Sequence, residues 1–266
     1  MEIRFLVLGE VAVTVDGAPV ELESVMVRGL LGTLLLHPNQ FVPAHQLTLA
    51  LWDVPPASAA SNLRTYASRL RRAFERSDRR LTERLTARRG SGYRLNLTAA
   101  ELDERAFREL ARAGRQHLYR ANFALAVDSL VRGLALWRGQ AGDDVPPHGL
   151  IREQLRALNE GRLVATEDLV EARLALGDTA HLVTDLRPYI ARYPLRERAY
   201  GQLMRALYRT GNPAEALAVY NRLRRVLGTE LGTDPGRELQ LIHRAVLRQD
   251  DAAVAATRLG HLSLAA

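Results

Sequence analysis

The hydrophobic pattern of this 266-residue chain changes once, and that change constrains the fold more than any other feature. Short β-type runs alternate with amphipathic helical segments at first, whereas from Leu102 onward only the 3.6-residue helical period continues. The sequence therefore predicts a mainly α protein with a small N-terminal α+β part. The segments expected are a mixed domain at 1–97, an all-helical domain at 98–250 and a flexible tail at 251–266.

The elements of the N-terminal part follow a recognisable order. Two β-type runs are followed by three helical segments, and two further β-type runs then flank the glycines of RRGSG, which permit a tight hairpin tip. The segments are 3–8, 11–15, 26–37, a helix that begins at Pro43, 58–76 with Ser58 as cap, and the hairpin at 84–97. This order is that of a winged helix-turn-helix domain, in which we expect the N-terminal strands to supply the sheet of the wing.

Positive charge is concentrated in the second half of that domain. All 37 basic residues are arginine, a bias that codons of a GC-rich genome would also produce, so total basicity says little. Counted by segment, the formal charge is −4 over 1–56, +8 over 57–97 and +3 over 98–266, which sums to +7. A basic block confined to about forty residues predicts a polyanionic partner there.

The helix at 58–76 is the strongest candidate for contact with that partner. Its apolar stripe should pack inward and leave a polar, Arg-rich face outward, of a size that fits the major groove of duplex DNA. The residues expected to contact DNA are Ser61, Asn62, Arg64, Thr65, Ser68, Arg69, Arg71 and Arg72. The alternative is a solvated surface helix without a partner.

Two further groups are candidates for DNA contact. Arg88, Arg89 and Arg94 lie on the hairpin, where they could enter the minor groove or bind phosphates, although a simple exposed hairpin would look the same. Arg28 lies ahead of the first Leu-rich stretch and is a candidate for contact with the DNA backbone through the helix N-terminus, with an ordinary surface role as its alternative.

The second half predicts a stack of helix pairs. Helical segments are expected at 103–120, 123–137, 150–176, 179–192, 195–210, 213–227 and 235–249. Gly177 and Gly211 lie 34 residues apart at helix ends, and Leu182 and Leu186 precede Ala216 and Tyr220 by the same interval. This period is typical of tetratricopeptide repeats, which generally present a concave surface to a partner.

Several function classes are excluded or disfavoured. The chain has no cysteine, no lysine and therefore no Walker-type phosphate loop, and its seven histidines are scattered. We expect no catalytic constellation, metal site or cofactor. The N-terminus lacks the features of a signal peptide and no segment approaches the ~20 apolar residues of a membrane span, so we expect a cytoplasmic protein without membrane contact.

Nine stretches together resemble one known family. They are FLVLG (5–9), LTLALW with PPAS (47–58), YASRLRR (66–72), GYRL (92–95), LALWRG (134–139), YPLRER (193–198), LMRALY (203–208), AEALAVY (214–220) and ELGTDPG (230–236). The chain resembles the SARP family, the Streptomyces antibiotic regulatory proteins, over residues 3 to about 250.

The resemblance implies an OmpR-type winged helix joined to a bacterial transcriptional activation domain. It implies an activator that binds direct repeats in double-stranded DNA upstream of the promoters of a secondary-metabolite cluster, self-associates head to tail on DNA and recruits the RNA polymerase holoenzyme. The reading helix maps to 57–75 and the wing to 84–97. Two stretches depart from the family pattern: SVMV at 24–27, where relatives are often basic or contain proline, and RGSG at 89–92, where they often carry prolines.

Two other functions fit the residue pattern. A tetratricopeptide-type scaffold or adaptor protein would use the basic N-terminal domain only to dock acidic proteins. A repressor would use the same grip on DNA to block transcription.

Overall fold

The computed structural model describes residues 2–88, 91–146 and 148–256. Its first three strands form an antiparallel sheet in the order β1-β2-β3, with β1 at Ile3–Leu6, β2 at Ala12–Val15 and β3 at Ala18–Pro19. Asp16 and Gly17 form the β2–β3 turn with positive φ values of 49° and 82°. β1 ends before the predicted residue 8 because the amides of Val7 and Leu8 donate to the Asp103 carboxylate instead of to a strand.

Three helices form the core of the N-terminal part: α1 at Val25–Leu36, α2 at Ala44–Leu51 and α3 at Ala59–Ser77. Their inward faces carry fully buried leucines, because the apolar residues recur at helical spacing. Pro43 lies just before α2 rather than in its first turn. Ser58 precedes α3 as expected, but its hydroxyl accepts from the Asn62 amide group at 3.1 Å instead of capping the helix.

The wing belongs to a second sheet, so the expectation that the N-terminal strands supply its sheet is wrong. Its strand order is β4-β6-β5, with β4 at Val42–Pro43, β5 at Leu85–Ala87 and β6 at Gly92–Leu95. β4 lies between α1 and α2 and pairs with β6 through Val42 and Tyr93. The free edge of β1 is bridged instead by Leu102.

A short helix of the N-terminal part was not predicted. α4 at Arg79–Arg84 follows α3 directly, and the Asp78 carboxylate accepts from the Arg80 amide at its N-terminus. Hydrogen bonds from the Arg80 guanidinium to the same carboxylate, together with this backbone bond, lower the pKa of Asp78 to about 2. The hairpin strand β5 therefore begins only after this extra turn of helix.

The second half contains helices, as predicted. They are α5 at Asp103–Tyr119, α6 at Phe123–Leu134, α7 at Leu150–Leu176, α8 at Ala180–Arg192, α9 at Glu197–Arg209, α10 at Pro213–Glu230, α11 at Arg237–Leu247 and α12 at Asp251–Ala256. The first seven match the predicted segments to within three residues at each end.

Four helices in this half end in the same kind of turn. Ala121, Gly177, Gly211 and Gln249 all have positive φ, between 54° and 83°. In each case the next amide donates to the carbonyl five residues earlier, as Asn212 does to Leu207 at 2.9 Å. This is the Schellman arrangement, which satisfies the last carbonyls of a helix and reverses the chain. The Gly177 and Gly211 turns confirm the predicted 34-residue period.

The flexible tail expected at 251–266 is wrong over its first six residues. Asp251–Ala256 is α12, and Val254 is fully buried in the core of the second half. Because this Ala-rich segment has only weak periodicity, its sequence did not indicate that Val254 would be buried. Residues 257–266 lie outside the described part of the chain.

Contacts between residues divide the chain into two compact units. The first comprises the residues up to Ala111 together with Arg132–Leu163, and the second comprises Arg112–Val131 and the residues from Val164 onward. Residues 132–163 therefore pack with the N-terminal part. The second unit has one apolar core that includes the repeated positions Leu182, Leu186, Ala216 and Tyr220.

The architecture confirms the predicted fold class. The protein is mainly α, with a winged helix-turn-helix domain first and tetratricopeptide-like helix pairs after it.

Candidate nucleic-acid interface

The predicted reading helix, α3, has two distinct faces. Leu63, Ala67, Leu70 and Phe74 are buried, because they recur at intervals of three and four residues and pack against α1 and α2. The opposite face is exposed, and it consists of Ser61, Arg64, Thr65, Ser68, Arg69 and Arg72. The structure therefore brings six of the eight predicted reading residues onto the solvent-facing side of one helix.

The hydroxyl groups on this face make only local hydrogen bonds. Ser61 donates to the carbonyl of Ser58 at 2.8 Å, and Thr65 donates to the carbonyl of Ser61 at 3.1 Å. Because each hydroxyl oxygen keeps its acceptor capacity, it can still accept a hydrogen bond from a base. Asn62 differs, since its side chain is half-buried and its amide group donates to Ser58.

Three guanidinium groups on α3 are available to a ligand. Arg64, Arg69 and Arg72 are exposed, and within the described residues no carboxylate pairs with them. The next arginine along the helix, Arg76, is different, because it forms an ion pair with Glu23 at 2.8 Å. The three unpaired groups each offer paired N–H donors, which suit the acceptors of guanine or a phosphate.

Arg71 lies on the flank of α3 and faces the wing. Its guanidinium carbon lies 5.7 Å from the centre of the Tyr93 ring, and one of its terminal nitrogens donates to the carbonyl of Leu85 at 3.5 Å. Arg71 thus connects α3 to both strands of the hairpin. This geometry favours a role in placing the wing beside α3 over direct reading of a base.

The wing presents its arginines on the outer side of its sheet. Along β6, Tyr93 and Leu95 are buried while Arg94 between them is exposed, as strand alternation requires. Arg94 lies opposite Thr86 on β5, and Arg88 at the end of β5 is also exposed. Arg89, the third predicted wing residue, lies outside the described residues.

The base of the wing is fixed to the helices. The amide of Ala44, the first residue of α2, donates to the carbonyl of Ser91 at 2.8 Å. Gly92 has a φ of 150°, and a Cβ there would lie 2.2 Å from the carbonyl oxygen of Val42. Only glycine permits this close approach of β6 to β4.

Arg28 is not part of this surface. Its side chain is mostly buried, with Nε 2.7 Å from an Asp144 carboxylate oxygen and a terminal nitrogen donating to the carbonyl of Leu22 at 2.8 Å. Burial of Asp144 raises the pKa of its carboxyl group, and Arg28 opposes that shift. This pair could not be predicted from sequence, because its members are 116 residues apart.

Sequence reasoning missed one arginine near the interface. Arg79 begins α4 directly after α3 and is exposed. The signal that could have found it is Asp78, a favoured helix-capping residue placed just before a polar segment. Arg79 adds a further cation at the C-terminal end of α3.

Two other classes of site are absent from the described ranges 2–88, 91–146 and 148–256. These ranges contain no cluster of three or more metal-ligating side chains and no helix with the length and apolar character that a bilayer span requires.

Known proteins share both halves of this architecture. Residues 17–95 match the family "Transcriptional regulatory protein, C terminal", and residues 102–247 match the family "Bacterial transcriptional activator domain". The chain is 37% identical to regulatory protein AfsR of Streptomyces coelicolor over 94% of its own length, but it spans only 25% of the length of that relative.

Two further relatives are matched over more of their length. Regulatory protein DnrI of Streptomyces peucetius is 34% identical, and the match covers 84% of each chain. The solved structure of Mycobacterium tuberculosis EmbR, in complex with a low-affinity phosphopeptide, superposes with a TM-score of 0.85 at 30% identity, over 93% of this chain and 65% of EmbR. With an OmpR-type winged helix, an activator domain and these relatives, the chain belongs to the SARP family of bacterial transcriptional regulators.

Proposed function

We propose that this protein is a pathway-specific transcriptional activator that binds direct repeats upstream of the promoters of an antibiotic biosynthesis cluster. In this proposal residues 1–97 read the DNA. Residues 98–250 stabilise a head-to-tail pair on adjacent repeats and contact the RNA polymerase holoenzyme. The observation that carries the proposal is the unpaired face of Arg64, Arg69 and Arg72 on α3, beside a wing with exposed arginines.

The two basic elements have different tasks. The arginines of α3 would make paired hydrogen bonds to base edges in the major groove, which specify sequence, while Ser61, Thr65 and Ser68 contact bases or phosphates. Arg88 and Arg94 of the wing would contact phosphates or the minor groove, which adds affinity without strong sequence preference. Removal of an α3 arginine should therefore change sequence specificity, whereas removal of a wing arginine should mainly lower the affinity for any duplex.

The test begins with the wild-type protein and a pool of random duplexes, from which bound sequences are selected and then confirmed by footprinting near biosynthetic promoters. Against the selected site, Arg69→Ala and Arg72→Ala should each weaken binding by ~1–3 kcal/mol, or ~5- to 160-fold, and relax specificity at one position. Arg88→Ala should weaken binding to all duplexes alike and reduce the salt slope by about 1.

Arg225→Ala is the matched control, since Arg225 is an exposed arginine of α10 and its removal changes the net charge equally. If Arg69→Ala and Arg72→Ala lose less than twofold, or no more than Arg225→Ala, the assignment of the reading face is wrong. If the wild type binds unrelated duplexes as tightly as the selected one, a scaffold that docks polyanions is the better explanation. A promoter-reporter assay distinguishes activation from repression.

A further inference from the structure

The turn between β1 and β2 is hydrogen-bonded to residues of the second half of the chain. The Asp103 carboxylate accepts from the amides of Val7 and Leu8 at 2.9 and 3.1 Å. The Arg138 amide donates to the carbonyl of Leu8 at 2.8 Å, and the Gly142 amide donates to that of Gly9 at 2.7 Å. The backbone of this turn is therefore held by hydrogen bonds to residues 103, 138 and 142, which lie in the range that matches the activator-domain family.

Asp144 connects the same turn to α1, the first helix of the winged-helix domain. One of its carboxylate oxygens accepts from the Val11 amide at 2.7 Å, and the other lies 2.7 Å from Nε of Arg28 on α1. The side chains of Arg28 and Asp144 are only 24% and 15% exposed. A mostly buried, charge-assisted contact of this kind is stronger and more rigid than a surface ion pair.

Apolar contacts from the same segment complete the core beside α1. A Cβ at Gly29 would lie 2.7 Å from Pro146, and one at Gly32 would lie 3.3 Å from Ile151. The two glycines on this face of α1 therefore allow the loop and the start of α7 to pack directly on the helix. Together with Leu51 and Val11, residues of 138–146 and 148–151 therefore cover this face.

The end of α2 is held in the same way. The Gly149 amide donates to the Asp53 carboxylate at 2.8 Å, and a Cβ at Gly149 would lie 2.2 Å from the carbonyl oxygen of Ala50. Both α1 and α2 pack against α3. The segment thus contacts each of the two helices on which the reading helix rests.

We propose that Asp144 is a positioning residue for DNA binding, and that the segment formed by residues 138–146 and 148–151 is part of the DNA-reading module. Through Arg28 and Val11, Asp144 fixes α1 against the N-terminal sheet, and α1 in turn fixes the placement of α3. The proposal rests on the proposed DNA-binding function. It assigns to the activator domain a role inside the reader, separate from any contact with polymerase.

The positioning role and a purely electrostatic role of Asp144 predict opposite effects of its removal on DNA affinity. Asp144→Asn removes a negative charge from a DNA-binding protein, so a purely electrostatic effect would tighten binding to every duplex. If Asp144 positions α3, the same change weakens binding to the selected site by at least ~5-fold, the lower bound for one lost paired base contact. Binding to unrelated duplexes then stays the same or tightens, so the specificity ratio falls.

Asp143→Asn is the matched control. Asp143 is the neighbouring residue, its side chain is exposed, and the same charge is removed. The measurements use the full chain: fluorescence anisotropy with the selected and an unrelated duplex, and a thermal melt of each variant. The expected result is a loss of specificity for Asp144→Asn with none for Asp143→Asn.

A second variant keeps the proposal falsifiable if Asp144→Asn does not fold. Arg28→Lys retains the cation but not the fork of donors, so it should lose specificity to a smaller degree. A specificity ratio equal to that of Asp143→Asn in the folded variant overturns the positioning role. That outcome differs from failure of the proposed function, in which the wild type itself would show no sequence preference.

Discussion

The second unit contains a buried ion pair whose loss should destabilise the protein strongly. Arg205 on α9 and Glu171 on α7 have side chains that are 2% and 6% exposed. One terminal nitrogen of Arg205 lies 2.8 Å from each carboxylate oxygen of Glu171, and the Gln202 side chain approaches the same carboxylate. Removal of one partner leaves the other charge buried without compensation.

The expected cost of Glu171→Gln follows from that burial. Breaking a buried pair by removing one partner costs ~3–5 kcal/mol, because the remaining charge is cut off from water. With a urea dependence of about 1–3 kcal/mol per molar, the unfolding midpoint should fall by about 1 M or more. The assay is urea unfolding of the full chain, followed by far-ultraviolet circular dichroism.

Two comparisons decide whether the reasoning holds. Glu215→Gln breaks the surface pair with Arg187, whose side chains are 56% and 54% exposed, and should cost no more than about 1 kcal/mol. Replacing both buried partners, Glu171→Leu with Arg205→Met, should recover most of the stability that Glu171→Gln loses. The reasoning is refuted if Glu171→Gln costs no more than Glu215→Gln, or if the double variant is no more stable than the single one.

Two further predictions concern the wing and the short helix before it. Gly92→Ala should cost about 2 kcal/mol or more in a thermal unfolding assay, because its positive φ suits only glycine and the new methyl group would meet the Val42 carbonyl. Gly17→Ala, at a positive φ with open space around it, should cost less in the same assay. The pKa of Asp78 is lowered to about 2 from its ordinary value of 3.8 by the Arg80 hydrogen bonds, so its stabilisation is present above pH 4 and lost as the pH falls towards 2. The difference in unfolding midpoint between wild type and Asp78→Ala should therefore shrink between pH 5 and pH 2, and an unchanged difference would argue against this linkage.

The helices and the orientation of α3 could be predicted from sequence because they depend on long periodic patterns. Apolar residues recur at helical spacing along the nineteen residues of α3, so every turn of the helix indicates the same inward face. The turns at Gly177 and Gly211 could be predicted from the sequence because glycine is the residue that suits a positive φ. At Ala121 and Gln249 the same turn forms without that signal.

The sheets and the long-range pairs could not be predicted in the same way. β4 contains only two residues, Val42 and Pro43, which is too short to show any alternation, and its pairing with β6 depends on backbone groups. Arg28 and Arg71 were expected at the DNA because a sequence shows charge but not the partner that folding supplies. Asp144 and Tyr93 are those partners, and neither is near its arginine in sequence.

Each of the two small sheets has an edge strand that contains a proline, and this has a consequence for aggregation. The amides of Val20 and Ala44 point into their sheets, so the preceding residues, Pro19 and Pro43, occupy the places whose amides would point outward. A proline nitrogen carries no hydrogen, and an incoming strand therefore finds no donor at that point of either edge. β-pairing between copies of the protein is therefore disfavoured at these two edges, β3 and β4.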